Sequence, residues 1–286
     1  MKPHLFRTIA EVRSQVAGWR KDGRVVGLVP TMGALHAGHG ALIERARADG
    51  SAVVVSIFVN PIQFNRRDDY EAYAIDLTKD VEFCGRLGAD TVFAPSPDEM
   101  YPGPQNTFVE VEKLSEHLCG KFRPGHFRGV ATVVAKLFNI VSPDKAYFGE
   151  KDAQQLAIIE RMVKDLNIPI QIISVPTVRE SDGLALSSRN TRLTAEERAV
   201  APALYRALHI AADCIHQGCR SAEQVRSAGL SHLRKHPEFR VEYFEVVDAA
   251  TMTPVETIRG PVRIATAAWL GTTRLIDNIR ADNIKA

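Results

Sequence analysis

Two histidines, His36 and His39, flank Gly38 in the run PTMGALHAGHG (residues 30–40). The run follows a compact β-branched stretch, RVVGLV (residues 24–29), and precedes a helical pattern. Backbone N–H groups at the start of a helix favour an anion. Imidazole N–H groups beside them can donate to phosphate oxygens as negative charge builds up. Gly33 and Gly38 let the backbone approach a bulky ligand closely. The chemistry this fits is nucleotidyl transfer, with attack at an α-phosphate and loss of pyrophosphate. A His-x-Gly-His run alone is often incidental, and its place between strand and helix is what gives it weight. Neither GxGxxG nor GxxxxGK[ST] is present, which lowers dinucleotide oxidoreductases and P-loop NTPases.

Three further loops carry chemistry-bearing types. VNPIQF (residues 59–64) sets the amides of Asn60 and Gln63 after a second apolar run; amides hold a hydroxyl or carboxylate without burying a charge. Asn-Pro is equally a plain turn signal. FGEKDAQQ (residues 148–155) offers Lys151 to phosphate oxygens and Asp152 as a helix cap within reach of a ribose; a solvated turn has the same composition. DGLALSSRN (residues 182–190) puts the hydroxyls of Ser187 and Ser188 beside the planar fork of Arg189, or is an interdomain linker. KFRPGHFR (residues 121–128) adds cations around His126, which at a helix start can also serve packing alone.

These loops need a frame. Apolar runs at residues 24–29, 52–59, 91–94, 145–148 and 170–175 read as strands. They alternate with helical patterns at 40–48, 70–87, 127–141 and 152–165. Such alternation implies a parallel sheet with helices on both faces, whose ligands sit beyond the carboxyl ends of the strands. A Pro- and Gly-rich insert, residues 101–125, interrupts it, with a short extended piece at 107–111. After residue 188 the pattern changes. Thr194 with Glu197 and Ser221 with Gln224 are helix-opening pairs, and Pro202 predicts a break. Runs at 241–247, 262–267 and 274–278 then alternate as antiparallel strands do. The expected fold is α/β, a Rossmann-like parallel sheet flanked by helices, with a smaller α+β C-terminal domain. The expected domains are residues 1–177 and 178–286.

At 286 residues with 45% hydrophobic and 24% charged residues, the chain is an ordinary globular protein. A net charge of +2 argues against a dedicated nucleic-acid surface. No apolar run reaches membrane-spanning length, and the opening MKPHLFRTIAEVRSQ has no secretory h-region, so a cytoplasmic setting is expected. Cys84, Cys119, Cys214 and Cys219 form no CxxC pair and no metal-ligand spacing. The plain reading is reduced thiols, with a Cys214–Cys219 disulfide as the alternative.

Taken together, PTMGALHAGH, VSIFVNPIQF, FRPGHFRGVATVV, YFGEKDAQQL, VPTVRESDGLALSSRN and AAWLGTTRLIDN resemble the pantothenate synthetase family in order and spacing, over nearly the whole chain. The resemblance implies a Rossmann-like catalytic domain, a C-terminal lid domain, a homodimer, and Mg²⁺ with ATP. It implies ATP-dependent joining of pantoate to β-alanine through a pantoyl adenylate. Position by position, it places ATP along Met32, Gly33, Ala34, Leu35, His36, Ala37, Gly38 and His39, with His39 as proton donor and His36 as phosphate partner. A second ATP segment is Gly149, Glu150, Lys151 and Asp152. Val178 falls beside the adenine, and Leu186, Ser187, Ser188 and Arg189 form a third segment. Gln63 falls to both pantoate and β-alanine, with Asn60 beside it, Gln155 is a second pantoate contact, and Asp80 falls to the metal. Departures are Ala37, Gly40 in place of a larger apolar residue, Tyr73-Ala74-Ile75 for the common Tyr-Pro-Arg, and Lys79 where some members carry an acid. Rival readings are a nucleotidylyltransferase, an aminoacyl-tRNA synthetase-like protein, and a nucleotide-binding module without turnover.

Overall fold

The computed structural model describes residues 2–65, 70, 71, 73 and 76–282. Ala74 and Ile75, two of the departures above, lie outside the described residues. The chain divides into two compact units. The first is Met1–Val111, Arg123–Glu150 and Ile158–Pro176; the second is Glu112–Phe122, Lys151–Ala157 and Thr177–Ala286.

The first unit holds six strands: β1 (His4–Phe6), β2 (Val26–Thr31), β3 (Ala52–Ile57), β4 (Thr91–Phe93), β5 (Lys145–Gly149) and β6 (Gln171–Val175). Every pairing is parallel, in the order β1-β4-β3-β2-β5-β6. β3 is buried at all six positions, as expected of a strand covered on both faces. Helices α1 (Ile9–Lys21), α2 (Ala37–Ala48), α3 (Leu77–Arg86) and α4 (His126–Val141) connect the strands. α5 (Ala153–Asp165) follows β5. Strand order reverses between β2 and β5, so the loops leaving these two strands flank the switch point where open α/β sheets bind ligands.

Sequence and structure differ at three places. β1 and α1 are not among the runs read above, because three residues of edge strand carry too little pattern. The helix expected over residues 70–87 has its cap at Asp76, whose carboxylate accepts from the Lys79 N–H and pairs with the Lys79 ammonium at 2.9 Å. Residues 107–111 form no strand.

Gly40, a departure that costs helix propensity, has a packing reason. A Cβ there would lie 3.0 Å from Leu87 Cδ1 and 3.3 Å from Phe83 Cζ, so glycine seats α2 closely on α3.

The second unit packs α6 (Ala195–Val200), α7 (Ala203–His216) and α8 (Ala222–Leu233) with an antiparallel sheet. That sheet is β7 (Phe239–Asp248), β8 (Val262–Leu270) and β9 (Thr273–Ala281), in that order. Thr194 and Glu197 cap each other reciprocally, Ser221 caps α8, and the break at Pro202 separates α6 from α7. Leu204, Leu208, Ile215, Val225, Leu233, Ile264 and Leu270 are core residues here. Cys214 and Cys219 are joined as a disulfide across the turn after α7, their Cα atoms 5.4 Å apart, which corrects the reduced-thiol reading for this pair. Gly218, at φ +102°, turns the chain tightly enough to bring them together. Cys84 and Cys119 are free and buried.

Candidate functional site

The β2–α2 turn is built from polar main-chain contacts. Thr31 Oγ1 donates to the Ser56 carbonyl at 2.7 Å and accepts from the Gly33 N–H at 3.3 Å. Gly33 and Ala34 then adopt positive φ, +84° and +51°. That conformation is natural for glycine and costs an alanine on the order of 1 kcal/mol. It aims two successive N–H groups at one carboxylate: Ala34 N–H donates to Asp80 Oδ2 at 2.9 Å and Leu35 N–H to Oδ1 at 2.8 Å. Burial, at 4% exposure, raises the Asp80 pKa, and the two N–H donors oppose that rise.

The two histidines follow. His36 Nδ1 accepts from the Gly38 N–H at 3.1 Å, and His39 Nδ1 accepts from the His36 N–H at 3.3 Å. Both contacts cap α2. They also fix the tautomers: with Nδ1 accepting, the ring proton of each neutral imidazole sits on Nε2. The rings lie 4.2 Å apart between centroids, tilted by 48°. Ala37 carries no polar group between them.

After β3 the turn Pro61–Gln63 brings in the amides. Asn60 and Gln63 are buried, and Asn60 Nδ2 donates to Gln63 Oε1 at 3.0 Å. Gln63 Nε2 donates to the Met32 sulfur at 2.8 Å. The first unit therefore brings Met32, Asn60 and Gln63 together directly. It ties Asp80 to the same β2–α2 turn that carries His36 and His39.

β5 ends at Gly149, and Glu150–Asp152 form a 3-10 turn, of which Lys151 and Asp152 fall in the second unit. There the Lys151 carbonyl accepts from Asn278 Nδ2 at 2.9 Å. The neighbouring residue Asp277, 3% exposed at its side chain, holds Arg179 in a fork of 2.7 and 2.9 Å contacts. The Arg179 guanidinium also lies 3.6 Å from the Tyr205 ring centroid, a cation–π contact. Arg179 bridges to Ala185, and the Leu186 N–H donates to the Val178 carbonyl at 3.0 Å. Two of the sequence-expected segments, at Lys151 and at residues 178–189, thus hang on adjacent residues of β9. Ser187 Oγ accepts from the Arg189 N–H at 3.2 Å, opening the 3-10 turn Ser188–Arg192.

Asp152 is exposed and Gln155 half-buried. Gln154 is spent on structure. Its Oε1 accepts from the Cys119 N–H at 3.0 Å, and its Nε2 donates to the Leu114 and His117 carbonyls at 2.7 Å each.

Sequence reasoning missed Tyr101, Gly129, Asp277 and Asn278. RLIDN in the closing motif carried the last two as part of a pattern, without a role. Tyr101 has no local signal beyond opening a Pro- and Gly-rich insert. Lys79 is accounted for by Asp76.

Among the described residues no three His, Cys, Asp or Glu side chains are grouped to hold a metal ion. With both Asp80 oxygens on loop N–H groups, the described residues do not make up a resident magnesium site, which calls for carboxylate oxygens facing the ion.

The family model described as pantoate-beta-alanine ligase matches residues 4–280. The pantothenate synthetase of Moorella thermoacetica is 54% identical over 275 residues, 96% of this chain and 97% of its own. That of Thermotoga neapolitana is 51% identical over 274 residues, 96% of this chain and 98% of its own. The crystal structure of pantothenate synthetase from Thermus thermophilus superposes with a TM-score of 0.92 at 46% identity, covering 98% of this chain and 100% of that one. A pantoate-beta-alanine ligase from Francisella tularensis, complexed with beta-gamma ATP and beta-alanine, superposes with a TM-score of 0.79 at 35% identity, covering 97% of each chain.

Proposed function

We propose a reaction for this chain from one premise: it belongs to the pantoate-beta-alanine ligase family. It is a ligase that joins pantoate to β-alanine in pantothenate biosynthesis. ATP is the second substrate, and the Francisella relative crystallised with beta-gamma ATP and beta-alanine supports that assignment. The acid is (R)-pantoate, and its carboxylate oxygen attacks the α-phosphorus of ATP. The α–β phosphoanhydride bond breaks, and pyrophosphate leaves. The product is a pantoyl adenylate. The unprotonated amine of β-alanine then attacks the acyl carbon, the C–O bond of the acyl–phosphate mixed anhydride breaks, AMP departs, and the new amide nitrogen loses a proton.

The observation that carries this reading is the pair of imidazoles at the start of α2, both with Nδ1 engaged by main-chain N–H groups and both with the ring proton on Nε2. Two N–H donors at a helix start beside the sheet's switch point suit a triphosphate whose charge shifts toward pyrophosphate. We assign His36 and His39 to the phosphates, with His39 as the proton donor. The backbone from Met32 to His39, with Gly149, Glu150, Lys151 and Asp152, Val178 and Leu186 to Arg189, is assigned to the nucleotide. The Val178 carbonyl already accepts from the Leu186 N–H, and the Val178 backbone is assigned to the adenine side. Lys151, Ser187, Ser188 and Arg189 stabilise the departing pyrophosphate. Gln63 and Gln155 hold the acid, and the buried Asn60 backs Gln63. Mg²⁺ enters with ATP as part of the nucleotide substrate, and Asp80 serves the loop.

Burial pushes the Cys84 thiol up to about 12, so it is no thiolate at neutral pH, in keeping with a mechanism without a covalent enzyme intermediate. Residues 1–177 form the catalytic domain and 178–286 a lid that shields the adenylate from water, in a cytoplasmic homodimer. The test is pyrophosphate release from ATP with pantoate, with and without β-alanine. Pantoate-dependent release followed by β-alanine-dependent AMP and pantothenate is the expected result. A folded protein giving no pantoate-dependent release overturns the reading.

A further inference from the structure

Which end of the Gln63 amide faces a ligand is not left to Gln63. The Gly129 carbonyl, on α4, lies 3.1 Å from one amide atom of Asn60. A peptide carbonyl can only accept, so that atom is Nδ2. Asn60 Oδ1 therefore faces Tyr101 Oη, 2.8 Å away, which donates to it. The second Nδ2 hydrogen goes to Gln63, whose near atom must accept and is therefore Oε1. Gln63 is left presenting Nε2, two N–H donors, resting on the weak acceptor sulfur of Met32. Reversing any one amide would set acceptor against acceptor somewhere along this chain of contacts.

The elements supporting the relay are close-packed. A Cβ on Gly129 would lie 2.4 Å from the Ile62 carbonyl oxygen and 2.6 Å from Gln63 Cα, so only glycine lets α4 approach the turn this closely. The Gln63 main chain is tethered by His126. Its Nδ1 lies 2.8 Å from the Gln63 carbonyl and its Nε2 3.1 Å from Arg123 Nη1. With a carbonyl that only accepts and a guanidinium that only donates, the ring carries its proton on Nδ1. The Tyr101 ring lies 6.1 Å from that of Phe58 between centroids and 5.0 Å from the Lys136 ammonium.

We propose that Tyr101 and Gly129 are positioning residues for the acid substrate, acting through Asn60 to make Gln63 present N–H donors to a carboxylate or hydroxyl oxygen. The proposal rests on the assignment of Gln63 to pantoate given above. It explains why a pair of buried amides suits a site for an anionic acid: Asn60 fixes the donor end of Gln63 before the substrate arrives, so binding costs little reordering.

Steady-state kinetics on the full chain test it, with Tyr101→Phe, Gln63→Ala and the double variant. Gln63→Ala is expected to raise the KM for pantoate. Tyr101→Phe is expected to raise it about five- to tenfold, the worth of one buried hydrogen bond, with the KM for ATP and kcat at saturating pantoate within about twofold of wild type. In the Gln63→Ala background the Tyr101→Phe effect should vanish, since the relay then has no end to orient. An equal effect in both backgrounds, an equal rise in the KM for ATP, or no effect at all overturns the proposal.

Should Tyr101→Phe fail to fold, Asn60→Asp takes its place. It sets a carboxylate oxygen against the Gly129 carbonyl and is expected to raise the KM for pantoate still further. A substrate-free readout separates the two readings. The Gln63 side-chain NH₂ signals, identified by their loss in Gln63→Ala, should move in Tyr101→Phe. If they move while Gln63→Ala leaves the pantoate KM unchanged, the substrate assignment fails and the relay stands. If they stay in place, the relay fails.

Discussion

Asp80 separates a loop anchor from a metal ligand. Its carboxylate, 4% exposed, is the acceptor for the Ala34 and Leu35 N–H groups at 2.9 and 2.8 Å. Asp80→Ala leaves both donors buried beside a small void. Each lost contact is worth roughly 1–1.5 kcal/mol net. The strained Ala34 backbone also loses what holds it at φ +51°. The expected destabilisation is about 3 kcal/mol. Asp80→Asn should be milder. Burial favours the neutral form of this carboxyl, and the amide has that shape while losing one of its two acceptor oxygens. Chemical denaturation gives both values. Magnesium titrations of the activity, at fixed ATP, give the functional side. A loop anchor predicts a raised KM for ATP in Asp80→Asn, because the β2–α2 turn shifts, with the Mg²⁺ concentration for half-activity unchanged. Wild-type stability in Asp80→Ala, together with a roughly tenfold higher Mg²⁺ requirement in Asp80→Asn, would refute the anchor reasoning and return Asp80 to the metal.

Cys84→Ser is expected to keep adenylation within about twofold, since a buried thiol raised to about 12 supplies no nucleophile at neutral pH; a folded variant without pyrophosphate release contradicts this. Reducing Cys214–Cys219, or replacing both with Ser, is expected to cost about 2 kcal/mol from the short loop it closes, read by denaturation with and without reductant. His232 has its Nε2 buried with no hydrogen-bond partner among the described residues. Its pKa is lowered from 6.5, first by burial and then by the charges of His236, Lys235 and Arg206. The unfolded chain therefore takes up this proton first, so stability is full above about pH 6.5 and is lost as pH falls through the lower folded value. His232→Leu should flatten that acid limb, and an unchanged slope between about pH 5 and 6.5 argues against it.

The parts of this molecule that sequence exposes are those with one-dimensional signatures. β3 is readable because AVVVSI is apolar on both faces, which only a covered parallel strand tolerates. The α6–α7 break is readable because Pro202 lacks an N–H and carries a bulky ring. The loop residues His36, His39, Asn60, Gln63 and Lys151 are readable because they follow strands. Contacts made across the sequence have no such signature. Tyr101 reaches Asn60 over 41 residues and Gly129 reaches it over 69. Asp277 meets Arg179 over 98. Gly40 reads locally as a weak helix start, and only the side chains of Phe83 and Leu87 explain it. The reduced-thiol reading of Cys214 and Cys219 rested on compartment and spacing, whereas the helix-ending turn at Gly218 decides their separation.

The first unit sets its polar groups by main-chain contacts. Gly38 N–H fixes the tautomer of His36, and His36 N–H that of His39. The Gly129 carbonyl fixes Asn60 and through it Gln63, and the Gln63 carbonyl fixes His126. A peptide group neither titrates nor rotates to exchange its donor for its acceptor. The donor pattern of His36, His39 and Gln63, proposed above to meet phosphate and carboxylate, is therefore inherited from the path of the chain at the β2–α2 turn and at the α4 approach to Pro61–Gln63. The second unit uses a different device. The segments assigned above to the nucleotide hang on Asp277 and Asn278, where a guanidinium–carboxylate fork with a buried carboxylate supplies the rigidity. Loss of one partner in such a pair strands a buried charge, a larger penalty than loss of a neutral contact. Substitutions that reverse polarity at constant shape should accordingly damage the first unit's site most, and substitutions that delete one charge the second's.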